Sequence, residues 1–304
     1  MATPKPKRSF LVTCPQPKAK QVKTIRIPKA EEILASTEAG SFQGLSPLEM
    51  PDELVRIIGH PAEAFGFDLE THDKAPPKRK GRYGAFGNYT LRSEEDLDFL
   101  RIVQLGWAAV DPVSKKCFPK SYLVKPVGFV ITEGVTEIHK IAHDDALRNG
   151  SPLAEVLQEF MQDVRGTVER NGRVIAHQIE FDAGIILREL RRCGMDDHCR
   201  DWTTIARNGF CTMSPVAGRW LREACGMEVG APTSQPCLPL KLMTQILAPS
   251  LLELLSRKHH EAGVDAQITR SLYLALCQCT NPTKMKAYIA AEQAKLADAS
   301  MLAE

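Results

Sequence analysis

A chain of 304 residues with 43% apolar and 25% charged side chains can bury a substantial core, which excludes a disordered or fibrous polymer. Its longest apolar runs fall far short of the about 20 residues that cross a bilayer, and no secretory signal pattern is visible, so no membrane association is expected. Nine cysteines without a C-x-x-C pair are not a disulfide framework at this length, and they read as buried or free thiols of an intracellular reducing compartment: nucleus, cytoplasm or an organelle.

The net charge of +2 conceals an asymmetry. Residues 1–30 carry eight basic and no acidic side chains, which leaves about −6 for the remainder. This arm reads as a disordered tail, a localisation signal or a nucleic-acid anchor. Its Pro- and Lys-rich composition does not suit a mitochondrial presequence. Residues 31–62 read as an accessory extension, with short helices at Glu31–Ala35 and at Asp52–Ile58, the latter opened by Pro51 and closed by Gly59.

A strand is expected over Phe65–Thr71. Alternation sends Phe67 and Leu69 to one face and Asp68 and Glu70 to the other. Two neighbouring carboxylates repel unless a cation lies between them, although a solvated strand edge would also carry an isolated D-x-E triplet. The following insertion, residues 72–98, is long for a connection. It interleaves Lys78, Arg79, Lys80 and Arg82 with Tyr83, Phe86 and Tyr89. Cations for phosphates and aromatic faces for bases are what a single-strand binding surface needs. A solvated insertion or a nuclear signal would have the same composition. Its place beside the carboxylates favours substrate contact, with Thr71 and His72 as further candidates.

Strands are expected next at Ile102–Val110 and Ser121–Val127, joined by a turn at Asp111-Pro112. Ser151-Pro152 opens an amphipathic helix whose apolar stripe runs from Leu153 to Val164, with Gly166 as its stop. A fourth strand, Arg173–His177, leads into a helix through Arg192 with Asp182 at its positive end. A short fifth strand at Phe210–Thr212 precedes helices around Pro215–Cys225, Leu238–Leu247 and Leu251–Ser256. The last apolar-periodic helix follows His260 and runs to about Cys277, and residues 281–304 form a helical tail. The order implies an α/β sheet with mixed pairing.

Three stretches stand out together: Asp68-Leu69-Glu70-Thr71, Ala176-His177-Gln178-Ile179-Glu180-Phe181-Asp182 and His260-Glu261-Ala262-Gly263-Val264-Asp265-Ala266. In this order they resemble the D-x-E-T, A-H-N-x-x-F-D and H-x-A-x-x-D-A motifs of the DEDDh (DnaQ-like) 3′→5′ exonucleases, and Cys211-Thr212-Met213 resembles the family's later strand. The resemblance covers residues 63–280. It implies a ribonuclease H-like mixed five-stranded sheet flanked by helices, and metal-dependent release of nucleotides from 3′ ends of single-stranded DNA or RNA. It further implies two Mg²⁺ or Mn²⁺ ions on Asp68, Glu70, Asp182 and Asp265, with His260 as general base and, in many members, a homodimer. Gln178 departs from the usual Asn, and the 72–98 insertion is additional. Glu261 stands where a sister class has Tyr, so a histidine five residues before Asp265 selects the DEDDh branch.

The residue chemistry points the same way. Phosphodiester hydrolysis needs an activated water and a charge partner for the leaving oxygen, which two divalent ions supply. Oxygen ligands suit Mg²⁺ or Mn²⁺. Five steps along one helix would set His260 and Asp265 about 140° apart, so His260 is expected on a loop before the helix, with Gly263 near the junction. Its neutral imidazole can take a proton near working pH. His177 reads as structural, and Cys193, Asp196, Asp197, His198 and Cys199 read as a polar surface turn rather than a zinc site. Two rival readings are a proofreading or repair subunit that depends on a partner, and a catalytically silent nucleic-acid-binding module.

Overall fold

Strand β1 (Glu63–Thr71) is the centre of a five-stranded mixed sheet with strand order β3-β2-β1-β4-β5. It runs antiparallel to β2 (Ile102–Val110), which pairs antiparallel with β3 (Cys117–Leu123). On its other side β1 runs parallel to β4 (Gly172–Ala176), which pairs in parallel with β5 (Phe210–Cys211). The computed structural model describes residues 49–74, 97–225 and 237–301. The basic arm and Lys78, Arg79, Lys80, Arg82 and Tyr83 lie outside the described residues.

Eleven described helices flank this sheet, so the expected architecture of a mixed five-stranded sheet flanked by helices is the one observed. They are α1 (Asp52–Ile58), α2 (Glu133–His139), α3 (His143–Asn149), α4 (Leu153–Glu169), α5 (Ile179–Arg192), α6 (Asp196–Arg207), α7 (Pro215–Ala224), α8 (Leu240–Leu247), α9 (Leu252–Lys258), α10 (Ala262–Gln278) and α11 (Pro282–Met301). None of them is long and apolar enough to cross a membrane. The described cysteines form no disulfide.

The two-residue period of β1 builds two cores. Phe65, Phe67 and Leu69 point to one face, where they meet Trp107 of β2, Phe160 of α4 and Trp202 of α6. Phe67 packs edge-on against Phe160 and Trp202, with ring centroids 5.9 and 5.4 Å apart. Such pairs add about 0.5–1.5 kcal/mol beyond their buried area. The opposite face carries Ala64, Ile175 and Phe210 and is covered by α1, α7, α8 and α10. Leu54 and Ile58 of α1 are buried there and the Tyr273 hydroxyl donates to Ile58 O at 2.7 Å, so this stretch is built into the core.

Helix α10 lies on the sheet at positions without side chains. A β-carbon on Gly66 would stand 2.2 Å from Ala266 O, and one on Gly106 2.1 Å from Gly263 N. Glycine in two neighbouring strands lets the helix backbone approach this closely.

Several boundaries differ from expectation. β3 spans Cys117–Leu123 rather than Ser121–Val127. The Asp111 turn sets that register: Asp111 O and N bond Lys115 N and Lys116 O at 2.9 Å, so Val110 pairs at once with Cys117. Pro119 is tolerated because β3 is an edge strand. α4 runs through Gly166 to Glu169, since Val164 and Thr167 stay buried, and the left-handed Asn171 (φ 59°) makes the turn into β4. The polar turn expected at Asp196–Cys199 is the first turn of α6, where its acids complement the helix dipole.

Candidate active site

Asp68 and Glu70 stand on the β1 face that meets α10, paired across the ladder with Gly106 and Gln104. Pairing with β4 ends at Gly66, so both carboxylates lie beyond the parallel neighbour, where the chain passes from β4 into α5. The first turn of α10 brings Asp265 under them. Ligand oxygens of Asp68, Glu70 and Asp265 all lie within 4.8 Å of one another. Asp182, in the first turn of α5, is not part of this tight group. It is 4% exposed and close enough for its charge to act on Asp68.

Burial is the main electrostatic fact here. It raises the pKa of Asp68 well above the usual carboxylate range, and the charges of Asp182, Asp265, Glu70 and Glu261 add to the rise. Asp182 is raised in the same way by burial and by Glu70, against a backbone hydrogen bond at Gln178. Glu70 is raised by burial, with His260 opposing. Asp265 is 4% exposed, and its Oδ1 is buried without a hydrogen-bond partner. Buried carboxylates that repel one another, one with an unpartnered oxygen, fit divalent cations bound through oxygen.

The turn between α9 and α10 carries the histidines. His260 has φ 66°, in the left-handed region, a strained backbone for a residue with a β-carbon. It lies on the connection before the helix, as expected. Its Nδ1 stands 3.5 Å from Glu70 Oε1, and its pKa is raised chiefly by that contact. His259 Nδ1 lies 3.3 Å from Asp265 Oδ2. The His260 N–H donates at 3.1 Å to both of these atoms. Glu261 caps α10: its Oε2 accepts from Val264 N at 3.0 Å. Gln104 ties β2 to the same turn, with its Oε1 accepting from Ala262 N at 2.9 Å.

Other candidates have structural partners. His177 Nδ1 is 2.9 Å from Thr212 Oγ1, and burial lowers its pKa to about 4, so the ring is neutral and joins the second motif to Cys211-Thr212-Met213. Thr71 Oγ1 donates to Asp73 O at 2.9 Å. His72, also expected to contact substrate, is buried among structural partners. It is 6% exposed, its Nδ1 accepts from Arg101 N at 3.2 Å, and its ring packs against Phe99 and Phe129. Among the described residues the Cys193–Cys199 stretch contributes to no group of converging metal-ligand atoms.

Sequence reasoning missed Gln104, Gly106 and the capping role of Glu261. Glycines inside the two strand patterns, at Gly66 and Gly106, were the available signal of a close backbone approach. Gln104 carries no such signal.

No protein-family model and no curated protein matches the chain. Among solved structures it is similar to Escherichia coli exonuclease I in complex with a dA16 oligonucleotide, at 14% identity over 74% of this chain and 42% of that one, with a TM-score of 0.48. Exonuclease I of Methylocaldum szegediense matches at 19% identity over 75% and 42% of the two chains (TM-score 0.46). Cell-death related nuclease 4 (CRN-4) matches at 11% over 72% and 64% (TM-score 0.41). The chain spans less than half the length of the two exonucleases I.

Proposed function

We propose that this chain is a metal-dependent 3′→5′ exonuclease of the DEDDh type, releasing nucleotides from the 3′ ends of single-stranded DNA or RNA. The observation that carries the reading is the convergence of Asp68, Glu70 and Asp265 within 4.8 Å around an unpartnered carboxylate oxygen, with a partly exposed imidazole against Glu70. Two Mg²⁺ or Mn²⁺ ions, when bound, supply Lewis-acid stabilisation of phosphate charge and an acidified water. Asp68, Glu70 and Asp265 would hold them directly, and Asp182 directly or through water.

The chain's own part is proton transfer and orientation. Glu70 beside Nδ1 of His260 fixes the ring, which leaves Nε2 to take the proton of the attacking water. Gln104 and the Glu261 cap hold the turn that presents this ring. In this reading residues 63–280 form the catalytic domain, and Lys78, Arg79, Lys80, Arg82 and Tyr83 contact the strand being degraded.

The test is digestion of matched 5′-labelled single-stranded DNA and RNA in Mg²⁺ and in Mn²⁺, with Asp68→Ala as control. A descending ladder on either substrate, absent in the control, supports the reading and reports the sugar preference. Immediate release of the label as a mononucleotide would reverse the direction. No ladder on either substrate would favour a silent binding module.

A further inference from the structure

His260 accounts for the proton in the proposed hydrolysis, and its neighbour His259 has no part in it. We propose that His259, His260 and Asp265 form a second cation site that takes a borderline transition ion such as Zn²⁺ in preference to Mg²⁺. One ligand atom from each residue lies within 4.8 Å of the other two. His259 Nδ1 and Asp265 Oδ2 are 3.3 Å apart. That is the edge expected for two ligands on a tetrahedral zinc with bonds of about 2.0–2.1 Å.

His259 Nδ1 and Asp265 Oδ2 share a hydrogen bond whose donor depends on the imidazole tautomer, and each lies 3.1 Å from the backbone N of His260. The other oxygen of Asp265 is buried with no partner. That oxygen faces no donor among the described residues, so Asp265 can offer Oδ1 to the all-oxygen cluster and Oδ2, beside His259 Nδ1, to this second ion. The two rings are stacked, with centroids 3.8 Å apart, and their side chains are 39% and 38% exposed. The site is therefore open to solvent. Imidazole nitrogen suits Zn²⁺, whereas Mg²⁺ keeps to oxygen. The all-oxygen cluster and this one share Asp265 but select different metals.

The functional consequence rests on the exonuclease reading. An ion held here would occupy His260 and Asp265 together, so Zn²⁺ would block Mg²⁺-supported turnover. The site itself does not depend on that reading, and its test is direct binding. Zn²⁺ is titrated calorimetrically into the full chain in excess Mg²⁺, alongside Asp68→Asn and His259→Gln, with zinc-edge X-ray absorption on each complex.

The expected result is a Zn²⁺ site that survives excess Mg²⁺ and Asp68→Asn. In His259→Gln it weakens by at least the about 10–100-fold that loss of an outer-shell partner alone costs. The absorption spectrum should show two imidazole nitrogens in the unmodified chain and one in His259→Gln, while thermal melts confirm that the variant folds. Equal affinity in His259→Gln, displacement of Zn²⁺ by Mg²⁺, or a spectrum without imidazole would overturn the site. Failure of the exonuclease reading would appear separately, as no ladder in Mg²⁺ alone with Zn²⁺ binding unchanged.

Discussion

Gly106 of β2 lies against the backbone of Gly263 in α10, so closely that a β-carbon on Gly106 would stand 2.1 Å from Gly263 N. Gly106 is also the ladder partner of Asp68. This contact therefore sets how near α10 brings Asp265 and His260 to the β1 carboxylates. The obstructing atoms are backbone, so Gly106→Ala forces the helix outward. The expected cost is about 1–3 kcal/mol of stability, as for other overpacked sites, with a larger fall in kcat than rise in KM. Denaturant melts beside steady-state kinetics check it, and an unchanged kcat would show that helix placement does not govern the site.

Charge in the cluster opposes folding when no cation is present. Asp68 has a raised pKa in the folded chain, so the folded state binds more protons than the unfolded state, and Asp68 costs stability once pH rises above its ordinary value of 3.8. Asp68→Asn removes that cost. The metal-free variant should melt higher than the unmodified chain at pH 7. The advantage should shrink as pH falls toward 3.8. Adding Mg²⁺ should stabilise the unmodified chain and leave the variant nearly unmoved. Comparing the two proteins at each pH isolates Asp68, because the depressed pKa values of His177, His72 and His139 act in the opposite direction as pH falls below 6.5. A variant less stable than the unmodified chain at pH 7 would contradict the argument.

The carboxylates were legible in the sequence because a strand has a fixed period. Phe67 and Leu69 had to be buried, so Asp68 and Glu70 had to share the other face. His260 on a connection before the helix followed from the helical angle once the motif resemblance paired it with Asp265. What stayed hidden depends on contacts between distant segments. Gln104 is an unremarkable strand residue until α10 lies across it. His72 follows the first motif and is polar, yet Phe99 and Phe129 enclose it. The short helices α2 and α3 lack side-chain caps and a long apolar stripe, so nothing local announces them.

Glu189 is a second place where a buried charge can be tested, away from the acidic cluster. It is fully buried on α5; its Oε1 accepts from Arg101 Nε at 2.8 Å and Ile102 N at 3.3 Å and forms an ion pair with Arg192 Nη1 at 3.2 Å. Arg101→Leu leaves the carboxylate buried with Arg192 as its remaining cation and should cost about 3–5 kcal/mol. Glu189→Leu should cost less, because both arginines are partly exposed and can turn to water. The double variant should recover part of the Arg101→Leu loss. A double-mutant cycle from urea melts reads the coupling, and strictly additive losses would mean the pair is not coupled.

His260 combines a strained backbone with the proposed proton acceptor, and two substitutions separate these roles. Its φ of 66° penalises any residue with a β-carbon and is free for glycine. His260→Ala and His260→Gly both lack the imidazole, so both should lose about 100- to 10,000-fold in turnover. The backbone effect divides them: His260→Gly should melt about 1 kcal/mol above His260→Ala. Single-turnover digestion and thermal melts of the two variants give both numbers. Equal loss of turnover at unequal stability assigns the effect to the missing proton acceptor. Turnover that tracks stability would assign it to the turn, and wild-type turnover in His260→Gly would remove the imidazole from the mechanism.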